Sequence, residues 1–137
     1  MNNSLEPPFL IHSARVLMYA ETGGNDFYTG LDKVRVGYKK LGAVPRLAIC
    51  EELLAPNTIC LMYCGTSWEV FLEHRLPSIS AAMERAELGY TRLHEKWQPY
   101  RDLTADEMRK MEDERATIRY LNEDPALHAY DPSASQR

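Results

Sequence analysis

Three runs decide the fold: Arg46–Leu53 (RLAICEEL), Thr58–Cys64 (TICLMYC) and Trp68–Arg75 (WEVFLEHR). Each is short and rich in β-branched, aromatic or other apolar residues. Turn formers separate them, Ala55-Pro56-Asn57 before the second run and Gly65-Thr66-Ser67 after it. Links this short join neighbouring antiparallel strands, so residues 46–75 read as a meander. The middle run is apolar on both faces, with Ile59, Leu61 and Tyr63 opposite Cys60, Met62 and Cys64. Such a strand lies inside a sheet whose faces are both at least partly covered. In the third run, strict alternation sets Trp68, Val70 and Leu72 against Glu69 and Glu73, with Phe71 between the two carboxylates.

Upstream, the stretch His12–Glu21 carries Val16 and Met18 alternating with Arg15, Leu17 and Tyr19, which predicts another strand. A turn cluster follows at Gly23-Gly24-Asn25-Asp26. Beyond it Phe27, Leu31, Val34, Tyr38 and Leu41 recur at helical spacing, and Thr29 and Gly42 suit the two ends. The spacing predicts a helix at 29–41. Gly37 opposes it by about 1 kcal/mol relative to alanine, and the alternation Val34, Val36, Tyr38 offers a strand instead.

Downstream the pattern changes to helices. After Pro77-Ser78, an apolar stripe runs through Ile79, Met83, Ala86, Tyr90, Leu93 and Trp97, weakened near Gly89 and Thr91 and closed by Pro99. The second helix, Thr104 to Leu121, opens with a Thr104-x-x-Glu107 capping box and a Leu103–Met108 hydrophobic pair. Its apolar stripe is narrow: Met108, Met111, Ile118 and Leu121, interrupted by Arg115. The expected architecture is therefore α+β, a three- or four-stranded mainly antiparallel sheet with two C-terminal helices and the helix at 29–41. It forms a single domain over 1–125, with a loose arm at 1–9 and a flexible tail at 126–137.

Composition narrows function by exclusion. The chain has 137 residues, with 16 Lys plus Arg against 20 Asp plus Glu, for a net charge of −4. Nucleic-acid binders draw their non-specific affinity from basic excess, so that class is not expected. Charge is uneven: residues 1–46 carry six basic and four acidic side chains, and residues 101–137 carry six and nine. The basic cluster Lys33, Arg35, Lys39, Lys40, Arg46 reads as a solvated face, with an anion or acidic-partner site as the alternative. No window has the length and apolarity of a membrane span, and Met1–Pro8 lacks the pattern of a signal peptide. Three cysteines without a CxxC pair predict inert buried thiols and a cytoplasmic protein.

Chemistry-bearing motifs are sparse. His12, His74, His94 and His128 are dispersed, and none has a ligand neighbour at metal spacing. No catalytic residue, metal or cofactor is assigned. The expected function is a small acidic protein-binding module, such as a bacterial immunity- or antitoxin-type inhibitor that masks a basic partner protein, as monomer or homodimer. Glu112, Asp113 and Glu114 on the second helix, with Tyr100 and Tyr28 outside the core stripes, are the expected partner-binding residues. The alternative is a small enzyme whose site gathers Cys60, Cys64, Glu73 and His74 from neighbouring strands.

Overall fold

The computed structural model describes residues 6–23, 28–31 and 34–123. The expected tail at 126–137 lies outside them. The chain divides into two compact units, Met1–Asp102 and Leu103–Arg137.

The first unit is an antiparallel sheet with one helix. Its strands are β1 (Leu10–Ile11), β2 (Ala14–Glu21), β5 (Arg46–Glu52), β6 (Ile59–Cys64) and β7 (Val70–Leu76), in that spatial order. The short β8 (Gln98–Pro99) shares the outer edge of β2 with β1, pairing at Met18 and Tyr19. The α+β class holds, and so does the meander over 46–75. The sheet is larger than three or four strands, because the two-residue strands β1 and β8 are too short to leave a periodic signal.

Among the described residues of 29–41 the expected helix does not form. A separate hairpin occupies the end of that stretch, formed by β3 (Val34–Val36) and β4 (Lys39–Gly42). Gly37, with φ of +63°, sits in its turn, where the left-handed backbone suits glycine. The alternation at Val34 and Val36 therefore prevailed over the helical spacing. Before the hairpin, Thr29 is tied to the first helix: its backbone N–H donates to the Gly89 carbonyl at 2.9 Å, and its hydroxyl to the Leu88 carbonyl at 2.7 Å.

In the larger sheet strict alternation fails at two described places, and both failures shape it. The β2–β5 register shifts between Val16 and Met18, and the β6–β7 register shifts between Tyr63 and Cys64. Each bulge turns the chain over, so Val16 and Met18 serve opposite faces, as do Val70 and Leu72. Bulges also increase local twist, which curls the sheet. Trp68, expected to open the third strand, instead precedes it in a tight turn, with φ of +65° and its N–H donating to the Gly65 carbonyl at 3.1 Å.

Two cores result, one on each face of β6, all six of whose residues are buried. On the first face Leu47, Ile49, Leu61 and Tyr63 meet Ala82, Ala86 and Tyr90 of the helix side. Helix α1 (Ile79–Gly89) is capped by the Ser78 hydroxyl, which accepts from the Ala81 N–H at 3.0 Å. It is shorter than its stripe suggested. Arg92 takes a positive φ of 68°, a single 3-10 turn follows at Leu93–Glu95, and Tyr90, Leu93 and Trp97 reach the same core without a continuous helix. The second face holds Val16, Ala48, Cys50, Cys60, Met62, Cys64 and Trp68. The described part of the expected arm belongs to this unit: Pro7 is buried, and its carbonyl accepts from the Tyr100 hydroxyl at 2.9 Å.

The second unit contains α2 (Ala105–Glu123), 19 residues long. Its capping box is fully formed. The Thr104 N–H donates to Glu107 Oε1 at 2.9 Å, and the Glu107 N–H donates to Thr104 Oγ1 at 3.0 Å.

Candidate functional site

All three cysteines lie on the second face, and the register explains how. Cys50 on β5 is directly opposite Cys60 on β6, and Cys60 and Cys64 are four residues apart on one strand. None is in a disulfide. The pairing that places Arg75 opposite Cys60 and Glu73 opposite Met62 brings two charged β7 side chains to this same face. From β5, Glu52 joins them.

The outcome is a mixed cluster. Donor atoms of Glu52, Cys60 and Glu73 all lie within 4.8 Å of one another. The Cys60 thiol donates to Glu52 Oε2 at 3.5 Å, and the Arg75 guanidinium pairs with the same carboxylate at 3.1 Å. Cys60 is buried, Glu52 half-buried and Glu73 exposed, so the group runs from the core to the solvent. Burial pushes the Cys60 thiol up to about 12, and the Glu73 and Glu52 carboxylates, which accept its proton and oppose a thiolate, push the same way. Burial, with Glu69 adding to it, takes Cys64 up to about 12 as well. Cys50 is also raised, chiefly by burial, and its Sγ contacts Met62 Sδ at 3.8 Å. Thiols held this firmly protonated are poor nucleophiles.

His74 is not part of the cluster. It alternates to the first face, where its ring packs edge-on against Tyr63 at 5.4 Å and lies 3.5 Å from an Arg85 nitrogen. The grouping of Cys60, Cys64, Glu73 and His74 thus divides: Cys60 and Glu73 meet, while the imidazole stands across the sheet. A cysteine–histidine pair of the nucleophilic kind needs the two within hydrogen-bond reach, and this sheet separates them. The sequence grouped Glu73 with Cys60, as found, but gave no sign of Glu52. The turn lengths around Pro56 and Gly65 carried part of the signal, but the bulge opposite Cys64 changed the face on which Glu73 emerges.

The expected partner-binding residues are spread between the two units. Tyr28 and Tyr100 are both half-buried. Tyr28 stacks at 5.2 Å on Tyr90 and forms a bridge with it, and Tyr100 packs edge-on against Tyr19 at 6.2 Å. On α2, Glu112 and Asp113 are exposed and Glu114 is partly covered. Glu112 pairs with Arg115, whose hydrogen bond and charge hold the carboxyl below its usual range. Of the basic cluster, Arg46 is set apart: it lies 5.3 Å over the Trp68 ring, donates to the Thr66 carbonyl at 2.6 Å and pairs with Glu21 at 3.4 Å.

A cleft of about 360 Å³ opens between Glu21, Gly23 and the segment Glu95–Gln98, with Trp97 in its wall. That is near the lower end of small-molecule sites. No helix among the described residues is long and apolar enough to cross a membrane. Compared with known families, curated proteins and solved structures, the chain matches none.

Proposed function

We propose that this chain is a protein-binding module that recognises a basic partner, in the manner of a small immunity- or antitoxin-type inhibitor. The observation that supports it is the composition of α2, where exposed Glu112 and Asp113 stand on the same helix as exposed Met108, Tyr120 and Leu121. Carboxylates speed encounter with a basic protein, and apolar points among them give it something to bury. The net charge of −4 acts in the same direction. Tyr28 and Tyr100 contribute less to this reading, since their rings serve the interior of the first unit.

The enzyme alternative loses support because its base and its thiols face opposite ways. The test of the binding reading is kinetic. A partner is captured with the tagged full chain and identified by mass spectrometry. Its association rate is then measured for wild type and for the triple variant Glu112→Lys, Asp113→Lys, Glu114→Lys across a salt series. The variant should associate more slowly at low salt, and the gap should close as ionic strength rises. Equal rates at every salt concentration would sink the proposal.

A further inference from the structure

We propose that Glu52, Cys60 and Glu73 form a binding site for a divalent transition-metal ion of the zinc class. The reading is independent of the partner-binding proposal, which concerns the other unit.

Geometry supports the site. Three strands deliver three donors to one spot, with all donor atoms within 4.8 Å of one another. A tetrahedral ion with bonds of about 2.0–2.3 Å needs donors separated by roughly 3.3–3.8 Å. Cys60 Sγ and Glu52 Oε2, at 3.5 Å, already meet that requirement. Glu73 is exposed at the solvent end, so a change of rotamer can close the remaining gap. The backbone beneath is the centre of the sheet, where β6 is hydrogen-bonded on both sides. Sites on strands of this kind hold their first ligands more precisely than sites on loops.

The local charges favour a cation as well. Two carboxylates from strands on either side of β6 converge on a buried thiol, and like charges brought together on one face destabilise a sheet. Arg75 offsets one of them. Once the Cys60 proton leaves to solvent, the group comprises one thiolate, two carboxylates and one guanidinium, a sum of −2 that a divalent cation neutralises. The same negative field that disfavours a bare thiolate favours a cation beside it.

Donor chemistry selects the ion. A thiolate among the ligands disfavours magnesium and calcium, which take oxygen donors, and favours zinc, or cobalt as its spectroscopic substitute. Three protein ligands leave a fourth position for water. Cys50 does not supply the fourth ligand in this arrangement, since its sulfur is directed at Met62.

Cobalt(II) added to chelator-treated full-length protein provides the test. Wild type should develop a thiolate-to-cobalt charge-transfer band that saturates at one ion per chain and is abolished by added zinc. Cys60→Ser should lose the band. Cys64→Ser, on the same strand and face, should keep it. Glu73→Gln, at an exposed position that leaves folding undisturbed, should keep the far-UV spectrum and weaken cobalt binding by more than about tenfold, as loss of even outer-shell partners does. Absence of the band in folded wild type would overturn the proposal. So would a band that survives in Cys60→Ser, one that depends on Cys64 instead, or an unchanged affinity in Glu73→Gln.

Discussion

Glu87 closes α1 from within its last turn. Its carboxylate accepts from the backbone N–H groups of Arg92 and His94, at 2.5 and 2.9 Å, and lies 3.3 Å from the His94 ring. That support is what allows Arg92 to hold a positive φ without glycine. Burial alone would raise the Glu87 pKa, but the hydrogen bonds from Arg92 and His94 outweigh it and bring it below the usual value. A depressed carboxylate stabilises the fold fully above its unfolded pKa, and the contribution is lost as pH falls through the folded one. Glu87→Gln should therefore cost about 1–2 kcal/mol at neutral pH, a gap that urea titrations would see shrink as pH falls below the usual glutamate range. The cysteines give a second expectation. With Cys60 and Cys64 at about 12, alkylation at pH 8 should run more than about a thousandfold slower than for a free thiol, until denaturant is added. Mass spectrometry of iodoacetamide-treated protein checks it; rapid labelling of the native chain would show the thiols to be accessible thiolates. Trp68, 7% exposed, should cost about 3–5 kcal/mol on truncation to alanine. Its Nε1 is buried without a hydrogen-bond partner, so Trp68→Phe should cost far less in the same denaturant series.

Among the elements, the hairpin joining β1 to β2 works against its own sequence. Ile11 pairs with Ala14, leaving His12 and Ser13 as the two turn residues, with φ of +51° and +61°. A type I′ turn requires positive φ at both positions and favours Asn-Gly. Replacing His12 and Ser13 with Asn and Gly should raise stability by about 0.5–1 kcal/mol, read as a higher melting temperature. No gain would mean that the two native side chains carry contacts that offset the strain. Thr104→Ala should lower α2 helicity by circular dichroism and cost about 1 kcal/mol, because the capping box is local. That box was legible from four residues, and so was the meander, whose turns are short and rich in Pro, Asn and Gly. The hairpin at 34–42 was not, since its apolar residues satisfy helical spacing and strand alternation together, and only Gly37 in the turn separates the two. The faces of Val16, Met18, Val70 and Leu72 were hidden for another reason. A bulge is one extra residue, and nothing in the local composition marks Leu17 or Phe71 as that residue.

For the molecule as a whole, those bulges decide the site as well as the cores. Glu52, Cys60 and Glu73 come from three strands, and a register one residue different would carry Glu73 to the α1 side. Sequence alone could place each residue on a strand but not the three on one face. The same topology sets a gradient of stability across the first unit. β6 is fully buried and paired along both edges, whereas β1 and β8 are two residues each and share one outer edge. Opening β6 means breaking both cores at once, because Leu61 and Tyr63 belong to one and Cys60 and Met62 to the other. Opening β8 uncovers two residues that are already exposed, and opening β1 uncovers Ile11 as its one buried side chain. Hydrogen exchange should therefore split into two regimes. Amides of Leu61, Met62 and Tyr63 should exchange only through global unfolding, with opening free energies that match urea denaturation and fall with denaturant at the global slope. Amides of Leu10 and Gln98 should exchange through small local openings that are nearly independent of denaturant. If the edge amides proved as protected as Met62, β1 and β8 would have to be integral to the cooperative unit. If Met62 exchanged by a local route instead, the two cores would be separable, and β6 would not be the element that joins them.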